Sequence, residues 1–180
     1  MKETLRSQGT MPGLSRRSLI LRARRALIWI LACALAPAAW ADGLRLASDL
    51  AAEAGAASAA RVPLVVFFSQ PGCDYCERAR REYLEPMLAE AGAHAQFRLV
   101  EVDVTSAAPL ADFGGRKLTQ ASFAHEHHVH VVPMLVFLGP RGEPLAEPLV
   151  GLTLPDFYQA YIDRRLEVAR AKLARQRPGS

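Results

Sequence analysis

Apolar residues alternate between short unbroken runs and longer stretches with helical spacing, a pattern that predicts alternating strands and helices. Apolar runs predict buried strands over residues 64–69, 97–104 and 134–138. The turn residues at 139–142 then lead to a further strand at 145–150. We therefore expect a central sheet of about four strands.

Helical spacing of apolar residues predicts helices over residues 44–60, 74–91, 118–128 and 154–174. Pro86 is expected to kink or interrupt the second helix. Thr153 is expected to cap the last one, with Pro155 at an early position. After a leading helix the order is βα, βα, ββ, α, so the sheet should start parallel and end antiparallel. The predicted fold class is α/β, with a mixed sheet flanked by helices.

Residues 1–41 follow the order of an export signal, with basic residues first, then an apolar stretch, then a small-residue cleavage site. The apolar stretch is shorter than the roughly 20 residues that span a membrane, although an uncleaved anchor is an alternative. Paired arginines leave the general and the twin-arginine export routes open. The predicted division is a signal at 1–41, a leading helix and linker at 42–61, a domain at 62–174 and a polar tail at 175–180.

Net charge changes sign when the predicted signal is removed. The chain holds 22 basic and 18 acidic residues, and seven of the basic residues and one acid lie in 1–41. The remainder therefore carries a net charge of −2. The basic character of the whole chain gives no case for a nucleic-acid partner.

Two cysteines, Cys73 and Cys76, stand where the first predicted strand meets the second predicted helix. Cys33 lies in the predicted signal, so the exported chain would hold one pair. One pair is too few for a disulfide scaffold or for a four-ligand zinc site. A helix N-terminus stabilises a thiolate, which is the nucleophile of disulfide exchange. We expect Cys73 to attack a substrate disulfide and Cys76 to resolve the mixed disulfide.

Residues 62–172 resemble the thioredoxin fold family. The resemblance rests on the cysteine loop at 68–76, on the segment 130–137 around Val132-Pro133, and on Val150-Gly151 before the last helix. It is nearest to periplasmic thioredoxin-like proteins associated with sulfur oxidation. The leading helix and the long loop at 112–119 are the features that carry this finer resemblance.

The resemblance implies a redox-active Cys73–Cys76 disulfide with no other cofactor. It also implies that Pro133 forms a cis peptide bond beside the cysteines. The backbone of Val132 would then pair with an extended substrate strand. A proline that simply begins a strand is the alternative.

The cysteine loop departs from that of cytoplasmic thioredoxin. Asp74 and Tyr75 stand between the cysteines, and the negative charge of Asp74 should disfavour a thiolate and favour a reductant. Phe67 stands where the family has a buried acid that assists proton transfer. One interpretation is that Glu101 on the neighbouring strand takes the place of that acid. The other, which its place near a strand end favours, is that Glu101 is a surface side chain.

Other charged side chains are assigned weaker roles. The arginines near the cysteines are expected on an exposed helix face without a role, and they are Arg78, Arg80 and Arg81. A histidine cluster is expected at a solvated helix end, and it comprises His125, His127, His128 and His130. The alternative is that His130 approaches the cysteines, to stabilise a thiolate or to bind copper or zinc with them.

Together these features predict an exported thiol–disulfide oxidoreductase that reduces protein disulfides in the periplasm. A membrane electron-transfer protein is the expected redox partner. The alternatives are a copper-binding or copper-chaperone module and a redox-inert interaction domain.

Overall fold

The computed structural model describes residues 44–92 and 95–176, and a four-stranded mixed sheet forms its centre. The strand order is β2-β1-β5-β6, with β1 and β2 parallel and the other two neighbouring pairs antiparallel. The four strands are β1 (Leu64–Ser69), β2 (Arg98–Asp103), β5 (Met134–Leu138) and β6 (Pro144–Val150). The predicted fold class is thereby confirmed.

Helices cover both faces of this sheet. They are α1 (Leu50–Ala60), α2 (Asp74–Ala79), α3 (Glu85–Ala91), α4 (Gln120–Glu126) and α5 (Pro155–Arg175). Alternate residues of the strands point to two separate cores, as the period of two in a strand requires. One core joins Phe67 to α2 and α5, and the other joins Phe68 to α1 and α4. A strand buried on both faces explains the unbroken apolar run of β1.

The leading helix is shorter than predicted, because residues 44–49 are extended. Asp49 caps α1 by accepting a hydrogen bond from the Ala52 N–H at 2.8 Å, which fixes the helix start at Leu50. The extended segment, which we call the strap, lies against the open edge of β2. Its Ala47 N–H donates to the carbonyl of Glu101 at 2.7 Å. The strap thus satisfies backbone groups of an edge strand, which local helical spacing cannot reveal.

The long helix predicted at 74–91 is interrupted, as Pro86 suggested, but the interruption is a π-helical turn. This turn spans Arg80–Leu84, between α2 and α3, and the Glu85 N–H donates to the carbonyl of Arg80. Proline lacks an N–H and its ring crowds the carbonyl four residues back, so a wider turn just before Pro86 relieves both effects.

A small hairpin lies between β2 and α4, where no strands were predicted. Its strands are β3 (Pro109–Ala111) and β4 (Lys117–Thr119), which pair antiparallel. The helix predicted at 118–128 begins later, because the Thr119 side chain accepts from the Ser122 N–H at 3.0 Å and caps α4. Strands of three residues leave too little alternation in the sequence to be seen.

The predicted cap of the last helix is wrong. Leu154, not Thr153, is the residue before α5, and no side chain caps the helix there. Pro155 occupies the first turn, where its missing N–H leaves one fewer donor to satisfy. Because the helix start has one fewer donor to satisfy, α5 can begin at Pro155 without a capping side chain.

Some predictions concern residues outside the described ranges. These are the export signal at 1–41, the first two residues of the leading segment and the end of the polar tail. Within residues 44–92 and 95–176, no helix is both long and apolar enough to cross a membrane.

Candidate functional site

The cysteine pair is a disulfide at the end of β1. The Cα atoms of Cys73 and Cys76 are 5.2 Å apart. Gly72 has a φ of +72°, which glycine adopts at little cost, and it turns the chain from the strand into α2. Cys73 is the residue before the helix, and its Sγ accepts a hydrogen bond from the Cys76 N–H at 3.1 Å.

The two sulfurs have different surroundings. Cys73 is half-buried, whereas Cys76 is fully buried in the core between α2, α5 and the sheet. The Sγ of Cys73 accepts from the Cys76 N–H at a helix start, and a donor in this position stabilises negative charge on the sulfur. The exposed sulfur is therefore suited to meet a substrate and the buried one to act inside the protein.

The segment before β5 lies beside this core. The Val132–Pro133 peptide bond is cis, and the Pro133 carbonyl accepts from the Gly151 N–H at 2.7 Å. Val132 is half-buried and packs against the cluster that contains Cys76. Strand pairing of β5 begins at Met134, so Val132 precedes the sheet.

Glu101 is buried, so the predicted surface position is wrong. Its side chain is 9% exposed and lies on the face of β2 that packs against the redox helix α2. The Ser69 hydroxyl donates to a Glu101 carboxylate oxygen, and the Arg80 guanidinium pairs with the same oxygen. A carboxylate can be buried because these donors replace water.

Arg80 also contradicts its predicted place on an exposed face. Its side chain is 18% exposed, and it forms ion pairs with both Glu77 and Glu101. Burial lowers the pKa of the Arg80 guanidinium, but the hydrogen bonds to the two carboxylates outweigh burial and raise it overall. The sequence signal for this position was its spacing of four from Cys76, which places both residues on one helix face.

Neighbouring charged residues behave as predicted. Arg78 and Glu82 form an exposed ion pair with a distance of 2.8 Å, on the solvent side of the same helix. Between the cysteines, Asp74 is exposed and Tyr75 is 63% exposed. Both are therefore free to face a docking partner.

The histidines lie at the end of α4. His125, His127, His128 and His130 are all exposed, and the rings of His128 and His130 have centroids 6.2 Å apart. The His127 ring also packs on Phe123 with ring centroids 4.2 Å apart, and partial desolvation lowers the pKa of His127. Within the described part of the chain, no group of three His, Cys, Asp or Glu side chains is placed to hold a metal ion.

Comparison with known proteins agrees with this arrangement. A sequence profile of the family described as thioredoxin-like domain matches residues 50–165. The chain belongs to the thioredoxin-like domain family. With its disulfide at a strand–helix junction, it is a thiol–disulfide oxidoreductase.

Solved structures are similar to this chain at low sequence identity. DsbH Oxidoreductase is 18% identical with a TM-score of 0.51, and the likeness covers 73% of this chain and 88% of that chain. The C-terminal domain of Neisseria meningitidis DsbD in the oxidised form is 17% identical with a TM-score of 0.44, covering 67% and 98%. No curated protein matches the sequence.

Proposed function

We propose that the protein is exported to the periplasm and reduces disulfides of other proteins through its Cys73–Cys76 pair. The observation that carries this proposal is the unequal burial of the two sulfurs at one helix start. The half-buried Cys73 is accessible to another protein, and the buried Cys76 is one helical turn away.

The reaction begins with both cysteines reduced. The Cys73 thiolate attacks one sulfur of a substrate disulfide, forming a mixed disulfide and releasing one substrate thiolate. Cys76 then gives up its proton and attacks the Cys73 sulfur. This step re-forms the Cys73–Cys76 disulfide and releases the second substrate thiolate. Two electrons pass to the substrate, and a membrane electron-transfer protein would return them.

Substrate binding is assigned to the loop before β5. Because strand pairing starts at Met134, the backbone of Val132 is placed to pair with an extended substrate segment, as in β-augmentation. Val132 and Cys73 both pack against the core that contains Cys76, so we assign the loop around Val132 and Pro133 to the same binding surface as the disulfide. The substrate would then lie across Cys73.

The direction of electron flow is assigned from Asp74. This exposed carboxylate lies in the first turn of α2, where its charge opposes a thiolate on Cys73. A less stabilised thiolate makes the reduced form a better electron donor. Tyr75 and His130 are proposed to tune the pair more weakly, as exposed neighbours in sequence of the cysteines and of Pro133 respectively. The association with sulfur oxidation stays a prediction from the sequence.

The decisive measurement is the equilibrium reduction potential of the pair in the full chain with Cys33→Ser, which leaves two cysteines. The protein is equilibrated in dithiothreitol and glutathione buffers, free thiols are alkylated, and the mass shift is read. A potential below about −200 mV supports a reductant, and one near about −120 mV would overturn that assignment.

A matched variant tests the role of Asp74. Asp74→Asn keeps the size of the side chain and removes its charge, so the potential should rise by about 10–30 mV. An unchanged potential would show that Asp74 does not set the direction of electron flow.

Export is tested separately, by asking whether removal of residues 1–41 keeps the protein in the cytoplasm.

A further inference from the structure

A charged pair lies in the layer between the redox helix and the sheet. Arg80 reaches from the π-helical turn that continues α2 and Glu101 from β2, and the two side chains form an ion pair. They are 18% and 9% exposed, so water screens them weakly. The Ser69 hydroxyl, at the end of β1, donates to the same Glu101 oxygen as Arg80 does.

This pair is close to Cys76 through both of its members. Arg80 follows Cys76 by one helical turn, and its backbone N–H donates to the Cys76 carbonyl. The centre of the Arg80 guanidinium lies 5.7 Å from the centroid of the Phe67 ring. Phe67 is opposite Glu101 in the β1–β2 register and shares a fully buried core with Cys76. The Cys76 thiol and the two charges therefore share one layer of the protein.

Other polar groups on this face carry less weight. Glu77, the second partner of Arg80, is 45% exposed, and its charge is screened by solvent. Tyr83 and Tyr158 belong to the same layer as neutral phenols, and burial raises the pKa of Tyr158 further. Asp74 is exposed at the start of the helix. Of the charged side chains named on this face, Arg80 and Glu101 are therefore the ones most shielded from solvent.

We propose that Arg80 and Glu101 are positioning residues that together set how readily the Cys76 thiol ionises, Arg80 promoting ionisation and Glu101 opposing it. The proposal rests on the redox cycle of the pair, but not on export or on the direction of electron flow. It differs from a role for Glu101 as a proton acceptor, because each member acts through its charge alone.

The step concerned is the resolution of the mixed disulfide. The Cys76 S–H bond breaks, its proton passes to solvent, and the sulfur forms a bond to the Cys73 sulfur. The bond from Cys73 to the bound thiol breaks, and that thiol leaves with the electron pair. Since the thiolate is the attacking species, nearby positive charge accelerates this step and nearby negative charge slows it.

Ellman's reagent measures this step directly in the reduced full chain with Cys33→Ser. Cys73 releases the first thionitrobenzoate and forms a mixed disulfide, and Cys76 releases the second. The rate of the second release is followed against pH in Glu101→Gln, Arg80→Gln and the double variant. Both substitutions keep hydrogen-bonding groups and remove one charge.

The two single variants should change the second release in opposite directions. Glu101→Gln should accelerate it about threefold to tenfold below the pH of the wild-type plateau, and Arg80→Gln should slow it by a similar factor. The expected change in rate is smaller than the change in the fraction of Cys76 present as thiolate, because a more acidic thiol gives a weaker nucleophile. The double variant should return to within about twofold of the wild type, since neither charge remains.

The exposed pair on the same helix supplies the matched control. Arg78→Gln and Glu82→Gln should leave the second release within about twofold of the wild type, because solvent screens both charges. Equal effects from this pair would overturn the proposal. Slower release in Glu101→Gln would also overturn it and would favour a proton-accepting role, and an unchanged rate would show that the charge has no influence.

Two further results separate the possible failures. If Arg80→Gln does not fold, Glu101→Gln alone decides, because it is close in shape to the native side chain. If the wild type releases a single thionitrobenzoate, the redox cycle itself is wrong and both proposals fall. A potential near about −120 mV would instead remove the reductant assignment alone and leave this test valid.

Discussion

Two buried carboxylates, Glu53 and Glu101, have the same chemistry but different surroundings. Glu53 lies on α1 and pairs with Arg45 of the strap at 2.6 Å and with Arg98 of β2 at 3.0 Å. Glu101 lies on β2 and pairs with Arg80 of the redox helix. The first cluster packs on the face opposite the disulfide, and the second lies between the disulfide-bearing helix and the sheet.

The difference shows that a buried ion pair must be interpreted from what lies next to it. Desolvation of two charges often outweighs their attraction, so such pairs are weak evidence for stability. The Glu53 cluster ties the strap and α1 to an edge strand, which is a structural task. The Glu101 cluster shares its layer with the Cys76 thiol, whose reactivity depends on local charge. We therefore expect both to affect folding but only one to affect thiol chemistry.

The largest expected effect comes from replacing the cysteines, because their thiol chemistry is what distinguishes the surroundings of Glu101 from those of Glu53. Cys73→Ser should lose reduction of a model protein disulfide, because no attacking thiol remains at the accessible position. Cys76→Ser should instead accumulate a mixed disulfide between Cys73 and the substrate, because the resolving thiol is absent. Mass spectrometry of the intact protein detects that adduct. An active Cys73→Ser variant would mean that the two positions have the opposite roles.

A second prediction tests the structural task of Glu53. Glu53→Gln should lower the free energy of unfolding by about 1–3 kcal/mol, because it removes the charge that pairs with both Arg45 and Arg98 in a partly buried cluster. The second release of thionitrobenzoate should stay within about twofold of the wild type. Urea unfolding of the oxidised protein measures the stability. A change in thiol kinetics as large as that of Glu101→Gln would remove the distinction between the two clusters.

A third variant shows whether loss of stability alone changes the thiols. Gly142 lies in the turn between β5 and β6, at the end of the sheet opposite the disulfide, with a φ of +78°. A Cβ there would lie 2.6 Å from a ring carbon of Phe113, so Gly142→Ala should cost about 1–2 kcal/mol. Urea unfolding should show this loss while thiol kinetics stay unchanged. Altered kinetics would mean that stability and reactivity cannot be separated in this fold.

The four main strands and their order along the chain could be predicted because the apolar runs are long and each is bounded by turn residues. The strap could not, since its two leucines and one alanine suit a helix and only the open edge of β2 makes them extended. The small hairpin was missed because three residues carry almost no periodicity. The cap at Thr153 was predicted wrongly and the interruption near Pro86 was predicted correctly. Both outcomes follow from the local effect of a proline.

The site was predicted unevenly for a physical reason. Cys73 and Cys76 were found because their spacing and their place after a strand are local features. The burial of Glu101 depends on Arg80, which arrives from a different element, and neither residue alone signals the pair. Charge in a sequence predicts a surface position by default, and only the tertiary contact reverses that prediction.

The smallest predicted effect concerns His127, an ionisable side chain outside both clusters. Partial desolvation lowers its pKa below the ordinary value of 6.5, so His127 binds a proton less readily in the folded protein than in the unfolded chain. Above that pH the residue is neutral in both states and has no effect. As the pH falls through 6.5, the unfolded chain takes up a proton more readily, and the free energy of unfolding should decrease.

Replacing His127 with glutamine should therefore flatten the dependence of stability on pH between about 7 and 5. Urea unfolding at a series of pH values measures this slope. His125→Gln, which removes another exposed histidine of the same helix end, is the matched control, so the difference between the variants reports on the packing of His127 on Phe123. Equal slopes in the two variants would show that this contact does not couple protonation to folding, and a steeper slope in His127→Gln would reverse the predicted sign.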